Sequence, residues 1–437
     1  MHGSPLGRAG GDVGAEHSSR HPAHSGQDLS RPLSRGGGAT DRRHRNRDSW
    51  RFLPFALTRK PAMFRIVEKN LSVEFPWGHH LHCMVSQLPT WLSRKEHLCR
   101  LTEPTTSWEM VRSVLEVVAA GEGNLKKLHF LLFPESTVPA ERVEEALDLI
   151  RHRFHNNTVT LFGVEHTTLA HYREVLERYR DDNAEALAQV LEDIDAGDVE
   201  QLPANWAVIA VKEADGQVRV FLEAKSHPYF AEENPDALHD LYRGKVFPLF
   251  HCHPNPFNFM ALICFDYIYR TIYQSNISVL IDKANELFFQ TRQRLDLLAV
   301  LECNPKPEHR AFRDVVNGYY GEYLSQHPGV RDSITVFCNT SDETTGSGST
   351  PEATFGRSSV IIHENHKMKQ KQFAEFETDD FGGLPVCRMR FGTGTRLYYF
   401  NLPVFHELDP RTTRVPLRVH SIFEPDGSQG WQRVFSE

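Results

Sequence analysis

From Met63 onward the chain alternates apolar runs of strand length with stretches whose apolar residues recur at helical spacing, and this alternation limits the fold more than any other feature. Residues 81–87 read as a strand. Residues 108–119 space Met110, Val111, Val114, Leu115, Val117 and Val118 like one buried face of a helix. Residues 127–133 form a compact apolar run that stops at Pro134-Glu135; 141–154 reads as a helix and 158–164 as a strand. An acidic helical stretch of about 34 residues, 166–199, comes next. Two β-rich runs, 206–211 and 217–223, are joined through Ala214-Asp215-Gly216, a hairpin signal. Strands are expected again at 246–251, 259–263, 297–301, 334–338 and 359–363, and helices at 278–294 and 308–325. Thr340 opens a Ser/Thr/Gly-rich loop reaching Thr350, and strand-like runs recur at 386–391, 397–400 and 416–422. Strands and helices in alternation predict sheets covered by helices, an α/β layered architecture. No internal repeat is present.

Charge separates the chain into two parts. Residues 1–62 carry 11 of the 49 Lys and Arg but only 5 of the 57 Asp and Glu, a net +6; the remaining 375 residues therefore stand at −14. The first part is rich in Gly, Ser, Pro, His and Arg and is expected to be a disordered basic tail, because it has too little apolar surface to offset its ordering entropy. It reads as an unstructured leader or an over-extended reading frame, with Met63 as an alternative start. The acidic body predicts no nucleic-acid binding by the main domain. No apolar run approaches the roughly 20 residues of a membrane span, and the first 30 residues lack a secretory signal's apolar stretch. Seven cysteines in 437 residues make no disulfide framework, so free thiols in a reducing, cytoplasmic setting are expected.

Three reactive residues stand where strands stop. Glu135 follows a buried run and a proline, Lys225 follows the second hairpin strand, and Cys264 follows Ala261-Leu262-Ile263. Strand ends hold side chains firmly while leaving them open to a substrate. Taken singly, each has an ordinary reading: a packed thiol, an acid at a helix start, a solvated lysine. The three together, in this order, are far less expected by chance and are read as candidate catalytic residues.

The flanks of these residues resemble the nitrilase superfamily of carbon–nitrogen hydrolases. Leu131-Leu132-Phe133-Pro134-Glu135 is similar to that family's glutamate motif. Asn205-Trp206-Ala207 through the Asp215-Gly216 turn to Val220-Phe221-Leu222-Glu223-Ala224-Lys225 is similar to its lysine hairpin, and Ala261-Leu262-Ile263-Cys264-Phe265-Asp266 to its nucleophile segment. Downstream, Val336-Phe337-Cys338-Asn339 and Phe355-Gly356-Arg357-Ser358 are similar to an Asn-bearing and a Gly-x-Ser strand. The Lys-to-Cys gap, 39, is ordinary for the family; the Glu-to-Lys gap, 90, is long, and the acidic stretch 166–199 accounts for the excess. The resemblance implies a four-layer αββα sandwich over residues 63–437, with a helical insertion near 166–199 and a C-terminal extension near 379–437.

It also implies a chemistry: cleavage of a non-peptide C–N bond, an amide rather than a nitrile, without a cofactor. Cys264 would attack as thiolate, a minor species at neutral pH for an ordinary thiol of pKa about 8.5. Glu135 would carry the proton, and Lys225 with the Phe265 N–H would hold the oxyanion. Asp266 would orient backbone near the site, and Glu233 would orient the lysine. The nucleophile motif departs from the family at Asp266-Tyr267-Ile268-Tyr269-Arg270-Thr271, so the substrate is not implied. The resemblance further implies a homodimer or larger homo-oligomer. The other reading is an inactive nitrilase-fold binding module inside a larger bacterial defence or signalling assembly. A zinc site at His251-Cys252-His253 and a papain-like Cys/His pair are rival readings; neither has the accompanying spacing. Gly392-Thr393-Gly394-Thr395 is too short for a phosphate loop, and the lysine-rich run 367–371 reads as solvated surface.

Overall fold

The protein is described by a computed structural model covering residues 64–76, 80–95, 98–121, 123–197, 199–228, 241–269, 275–291, 293–345, 354–363, 376–380, 386–403, 417–427 and 430–436. All of these lie in one compact unit, Arg59–Glu437. The expected tail at 1–62, Glu233, Arg270, Thr271 and the run 367–371 fall outside the described residues.

The elements follow in this order: β1 Arg65–Leu71, β2 His80–Gln87, β3 Leu92–Lys95, β4 Leu98–Leu101, α1 Pro104–Ala120, β5 Phe130–Leu132, α2 Val143–Arg153 and β6 Thr158–Thr168. Next come α3 Leu169–Arg178, α4 Arg180–Ala196, β7 Pro203–Lys212, β8 Val218–Ala224, β9 Val246–Cys252, β10 Phe257–Ile263 and the short α5 Phe265–Ile268. The remainder is α6 Asn276–Phe288, β11 Leu297–Leu301, α7 Arg310–Gly318, β12 Ile334–Cys338, β13 Ser359–His363, β14 Phe376–Asp380, β15 Val386–Phe391, β16 Arg396–Pro403, β17 Val419–Pro425 and β18 Trp431–Ser436.

Two eight-stranded sheets result. One runs β1-β9-β10-β11-β12-β13-β15-β14, the other β18-β17-β16-β2-β5-β6-β7-β8, and β3-β4 form a separate ribbon. Strand alternation explains why both sheets are buried on both sides. In β10, Phe259, Ala261 and Ile263 enter an apolar core shared with the other sheet, while Met260 and Leu262 enter a second core with α6 residues such as Ile277 and Leu280. In β7, Ala207, Ile209 and Val211 meet the shared core, while Trp206, Val208 and Ala210 pack with α1, α2 and α3 through Val114, Leu147 and Tyr172. Continuous apolar runs in the sequence are the mark of strands with no wet face.

Several boundaries differ from expectation for local reasons. The expected strand 127–133 is only three residues long, because Gly123–Lys127 is wound into a 3-10 turn. The helix expected at 278–294 begins at Asn276, where Ser275 caps it reciprocally with Ser278 (3.0 and 3.2 Å), and ends at Phe288. The run 308–325 starts as α7 but continues as a π turn over Tyr319–Tyr323. The acidic stretch 166–199 is two helices divided at Tyr179, and its first three residues still belong to β6. Its helices lie in the connection between β6 and β7, antiparallel neighbours that a hairpin could join, yet Tyr172, Val175, Leu176 and Val190 are buried in the helix-covered core. The C-terminal strands extend both sheets: β15 and β14 at one edge, and β16 between β2 and β17. Strand β1, paired in parallel with β9, has too polar a pattern to stand out in the sequence.

Candidate functional site

The strands β2, β5, β6 and β8 point one way in their sheet, and β10, β11 and β12 run parallel to each other in the facing one. Glu135 lies three residues past β5, Lys225 one past β8, and Cys264 one past β10. Carboxyl ends of aligned strands are where α/β folds open a crevice.

Glu135 and Lys225 meet directly: the Lys225 ammonium donates to Glu135 Oε1 at 2.7 Å, and both residues are buried. An ion pair taken out of water is held only when its remaining lone pairs are also satisfied. The Asn205 amide donates to the same oxygen at 2.7 Å, and the Cys303 backbone N–H donates to Oε2 at 3.0 Å. Asn205 does double service, since its carbonyl accepts from the Lys225 backbone at 2.8 Å.

Cys264 joins the cluster through the backbone. Its N–H donates to the Leu301 carbonyl at 2.8 Å, two residues before Cys303, which holds Glu135. On the other side, the Asp266 carboxylate accepts from the Ser226 N–H (2.9 Å) and the His227 N–H (2.7 Å), immediately after Lys225. A closed ring of bonds thus runs from Cys264 through Leu301, Cys303, Glu135, Lys225 and Asp266 back to Cys264. The backbone at Cys264 is left-handed, φ 45° and ψ −103°, a strained turn between β10 and α5. Of the seven cysteines, Cys83, Cys99, Cys252 and Cys338 are buried, whereas Cys264, Cys303 and Cys387 are partly exposed. Burial pushes the thiols of Cys83, Cys252 and Cys338 well up from the ordinary value.

Two glycines let the site close. A Cβ on Gly163 of β6 would stand 2.5 Å from Glu135 Cα and 2.6 Å from the Ser136 nitrogen, so the glutamate turn lies directly on bare backbone there. The Gly163 carbonyl accepts from the Thr137 and Val138 N–H groups, both at 3.0 Å. A Cβ on Gly244 would meet the Ala224 carbonyl oxygen at 1.9 Å, and the Gly244 N–H donates to the Lys225 carbonyl at 2.9 Å.

Asn339 is a further support. Its Oδ1 accepts from Asn304 N–H (2.8 Å) and its amide donates to the carbonyls of Asn304 (3.0 Å) and Gly356 (2.7 Å), while Ser358 Oγ accepts from its N–H at 2.9 Å. That lattice fixes the segment after β11 from which Cys303 reaches Glu135. Asn205 and Asn339 have no role readable from the sequence; the available signal was an amide inside or just past an apolar strand run, where burial obliges it to find partners. The Cys303 contribution is a backbone N–H and leaves no mark in sequence.

The His251-Cys252-His253 triplet is absorbed by the fold. His251 Nδ1 is 2.7 Å from Asn258 Oδ1, His253 Nε2 is 3.0 Å from Asn70 Oδ1, and the Cys252 side chain lies in the shared core. Among the described residues no cluster of His, Cys, Asp and Glu could hold a metal ion, and no helix is long and apolar enough to cross a membrane.

Among solved structures the chain is similar to nitrilase-superfamily amidases. The NitN amidase from Nesterenkonia sp. AN1 is 12% identical, with a TM-score of 0.40 over 76% of this chain and 94% of that one. An amidase from Nesterenkonia sp. is 12% identical, with a TM-score of 0.37 over 73% of this chain and 92% of that one. A cysteine-to-serine mutant of the Nesterenkonia AN1 amidase from the nitrilase superfamily is 12% identical, with a TM-score of 0.38 over 72% and 92%. No family model and no curated protein sequence matches the chain.

Proposed function

We propose that the chain is a cysteine-dependent hydrolase of a small-molecule, non-peptide C–N bond, an amide rather than a nitrile, built on a four-layer αββα sandwich. The observation that carries this reading is the buried Lys225–Glu135 pair, 2.7 Å apart and bonded through Cys303 to the strand beside Cys264. A folded chain has little reason to bury an ammonium and a carboxylate tied by backbone bonds to a strained cysteine turn unless chemistry uses them. In this reading α3 and α4 are the insertion, and the C-terminal strands are the extension that enlarges both sheets.

The steps follow from the groups present. Cys264 Sγ forms a bond to the substrate carbonyl carbon as its proton passes to Glu135. The oxyanion so formed lies against the Lys225 ammonium and the Phe265 N–H. Collapse breaks the C–N bond, and the amine leaves with the proton from Glu135. Glu135 then takes a proton from water as the hydroxyl oxygen attacks the thioester; collapse breaks the C–S bond, Cys264 Sγ recovers the proton from Glu135, and the acid is released. Asp266 serves by holding the Ser226 and His227 N–H groups, which sets the chain direction just after Lys225.

Iodoacetamide labelling at pH 7 with mass mapping tests the reading. Cys264 should react far faster than the other six thiols, and Cys264→Ala should abolish turnover on a panel of small amides. Uniform labelling, or turnover surviving in Cys264→Ala, would overturn it in favour of a binding module.

A further inference from the structure

Glu302 takes no part in the steps above, yet it occupies the link between nucleophile and base. It follows Leu301, whose carbonyl accepts from the Cys264 N–H, and precedes Cys303, whose N–H donates to Glu135. The residue is 2% exposed, and its Oε1 has no hydrogen-bond partner among the described residues. The groups that face it are few: Glu135 across the site, Asn304 from its own loop, Cys338 from β12 and Arg388 from β15. That arginine is already engaged, since it is paired with Glu308, which Arg390 also holds at 3.0 Å. A carboxylate at this position would be stripped of water, lack a cation of its own and face a second carboxylate.

We propose that Glu302 is a positioning residue of the hydrolase proposed above, uncharged while the enzyme works and inhibitory once it ionises. As a neutral acid it leaves Glu135 as the carboxylate that answers Lys225. As an anion it would add negative charge beside Cys264 and Glu135, disfavouring the thiolate and retaining the proton that the leaving amine needs. Burial pushes the Glu302 carboxyl up to about 8, with the charge of Glu135 acting in the same direction and Asn304 and Arg388 opposing. The changeover therefore falls just above neutral pH.

The inference rests on the hydrolase reading, and two measurements on the full chain separate them. The first is the ratio of kcat/KM at pH 9 to that at pH 7 on the best amide substrate. In wild type, ionisation of Glu302 should depress this ratio, and Glu302→Gln should raise it about tenfold, the arithmetic of a group half-titrated near pH 8. An equal ratio in both proteins would overturn the role. The second is an infrared pH titration of wild type and Glu302→Gln, which needs no substrate. A carboxylic-acid C=O band should vanish with a midpoint near pH 8 in wild type and be absent from the variant. If the variant fails to fold, the wild-type titration is read against Asp296, which burial pushes up to about 7 and which supplies an acid band of its own: no second acid band lost near pH 8 would remove the neutral Glu302 carboxyl. Absence of all amide turnover alongside a normal band would count against the hydrolase and not against the neutral Glu302.

Discussion

The two ends of β5 bury polar side chains to a similar degree and do opposite things with them. At the exit, Glu135 is 3% exposed and meets an ammonium, an amide and a backbone N–H. At the entrance, His129 is 9% exposed and meets other imidazoles. Its ring stacks on His82 at 5.9 Å; His82 in turn lies 5.3 Å from both Tyr399 and His420 and 5.0 Å from His80. The His82 and His129 imidazoles are both lowered to about 3, first by burial and then by neighbouring histidines. One end keeps charge by pairing it; the other excludes charge by burying the rings, with like groups crowded beside them adding to the cost. Burial alone therefore does not tell what a polar side chain is for; its partners do.

The comparison breaks first if the exit end does not need its cation. Lys225→Met leaves Glu135 buried without a counter-charge and should cost about 3–5 kcal/mol in urea unfolding at pH 7. Adding Glu135→Gln should recover most of that loss, because the pair is then absent rather than halved. A cost below about 1 kcal/mol for the single change would mean that water reaches Glu135 freely. Gly163→Ala tests the same end through the backbone. The added methyl meets the Glu135 Cα and should move the turn by a fraction of an ångström to an ångström, lowering kcat on an amide by up to about 10²-fold. Unchanged kcat would show that the turn has slack that the close approach denies.

Much of this could be read from residue order, and the failures have physical causes. The placement of Glu135, Lys225 and Cys264 just past strands was legible because each closes an apolar run, and the hairpin at Asp215-Gly216 because its turn residues are local. The strands β10 to β13 were legible because both their faces are apolar. β1 and β18 were not: their residues alternate or are largely exposed, so their pairing comes from a neighbouring edge rather than from their own pattern. The Cys303 N–H is invisible in principle, since every residue but proline has one. The histidine stack is spread over β2, β17 and the residue before β5, so only the sheet's register assembles it.

Asp266 is the next sharpening. Its carboxylate, 0% exposed, accepts three bonds from two backbone N–H groups just beyond Lys225. Asp266→Asn preserves shape but turns charge-assisted bonds into neutral ones and should cost about 1.5–3 kcal/mol. A fall in kcat larger than the rise in KM would show that Lys225 has lost its aim; a pure stability loss would place Asp266 in the scaffold alone.

The smallest effect sharpens the entrance end. Because the His82 and His129 imidazoles lie below the ordinary 6.5, the folded chain declines protons that the unfolded chain accepts. Their contribution to stability is whole above pH 6.5 and is lost as pH falls from there toward about 3, at up to about 1.4 kcal/mol per pH unit for each ring. His82→Phe keeps an aromatic ring between Tyr399 and His129 and keeps the His82 N–H that donates to His129 Nδ1 at 3.1 Å. It also removes a ring nitrogen, Nδ1, that finds no partner among the described residues. The variant should lose about half of that pair's pH slope in urea unfolding between pH 6 and pH 4, while the carboxylates that titrate on the same limb contribute equally in both proteins. An unchanged slope would mean that the stacked rings already accept protons in the folded state, and the two ends of β5 would then differ in partners but not in charge.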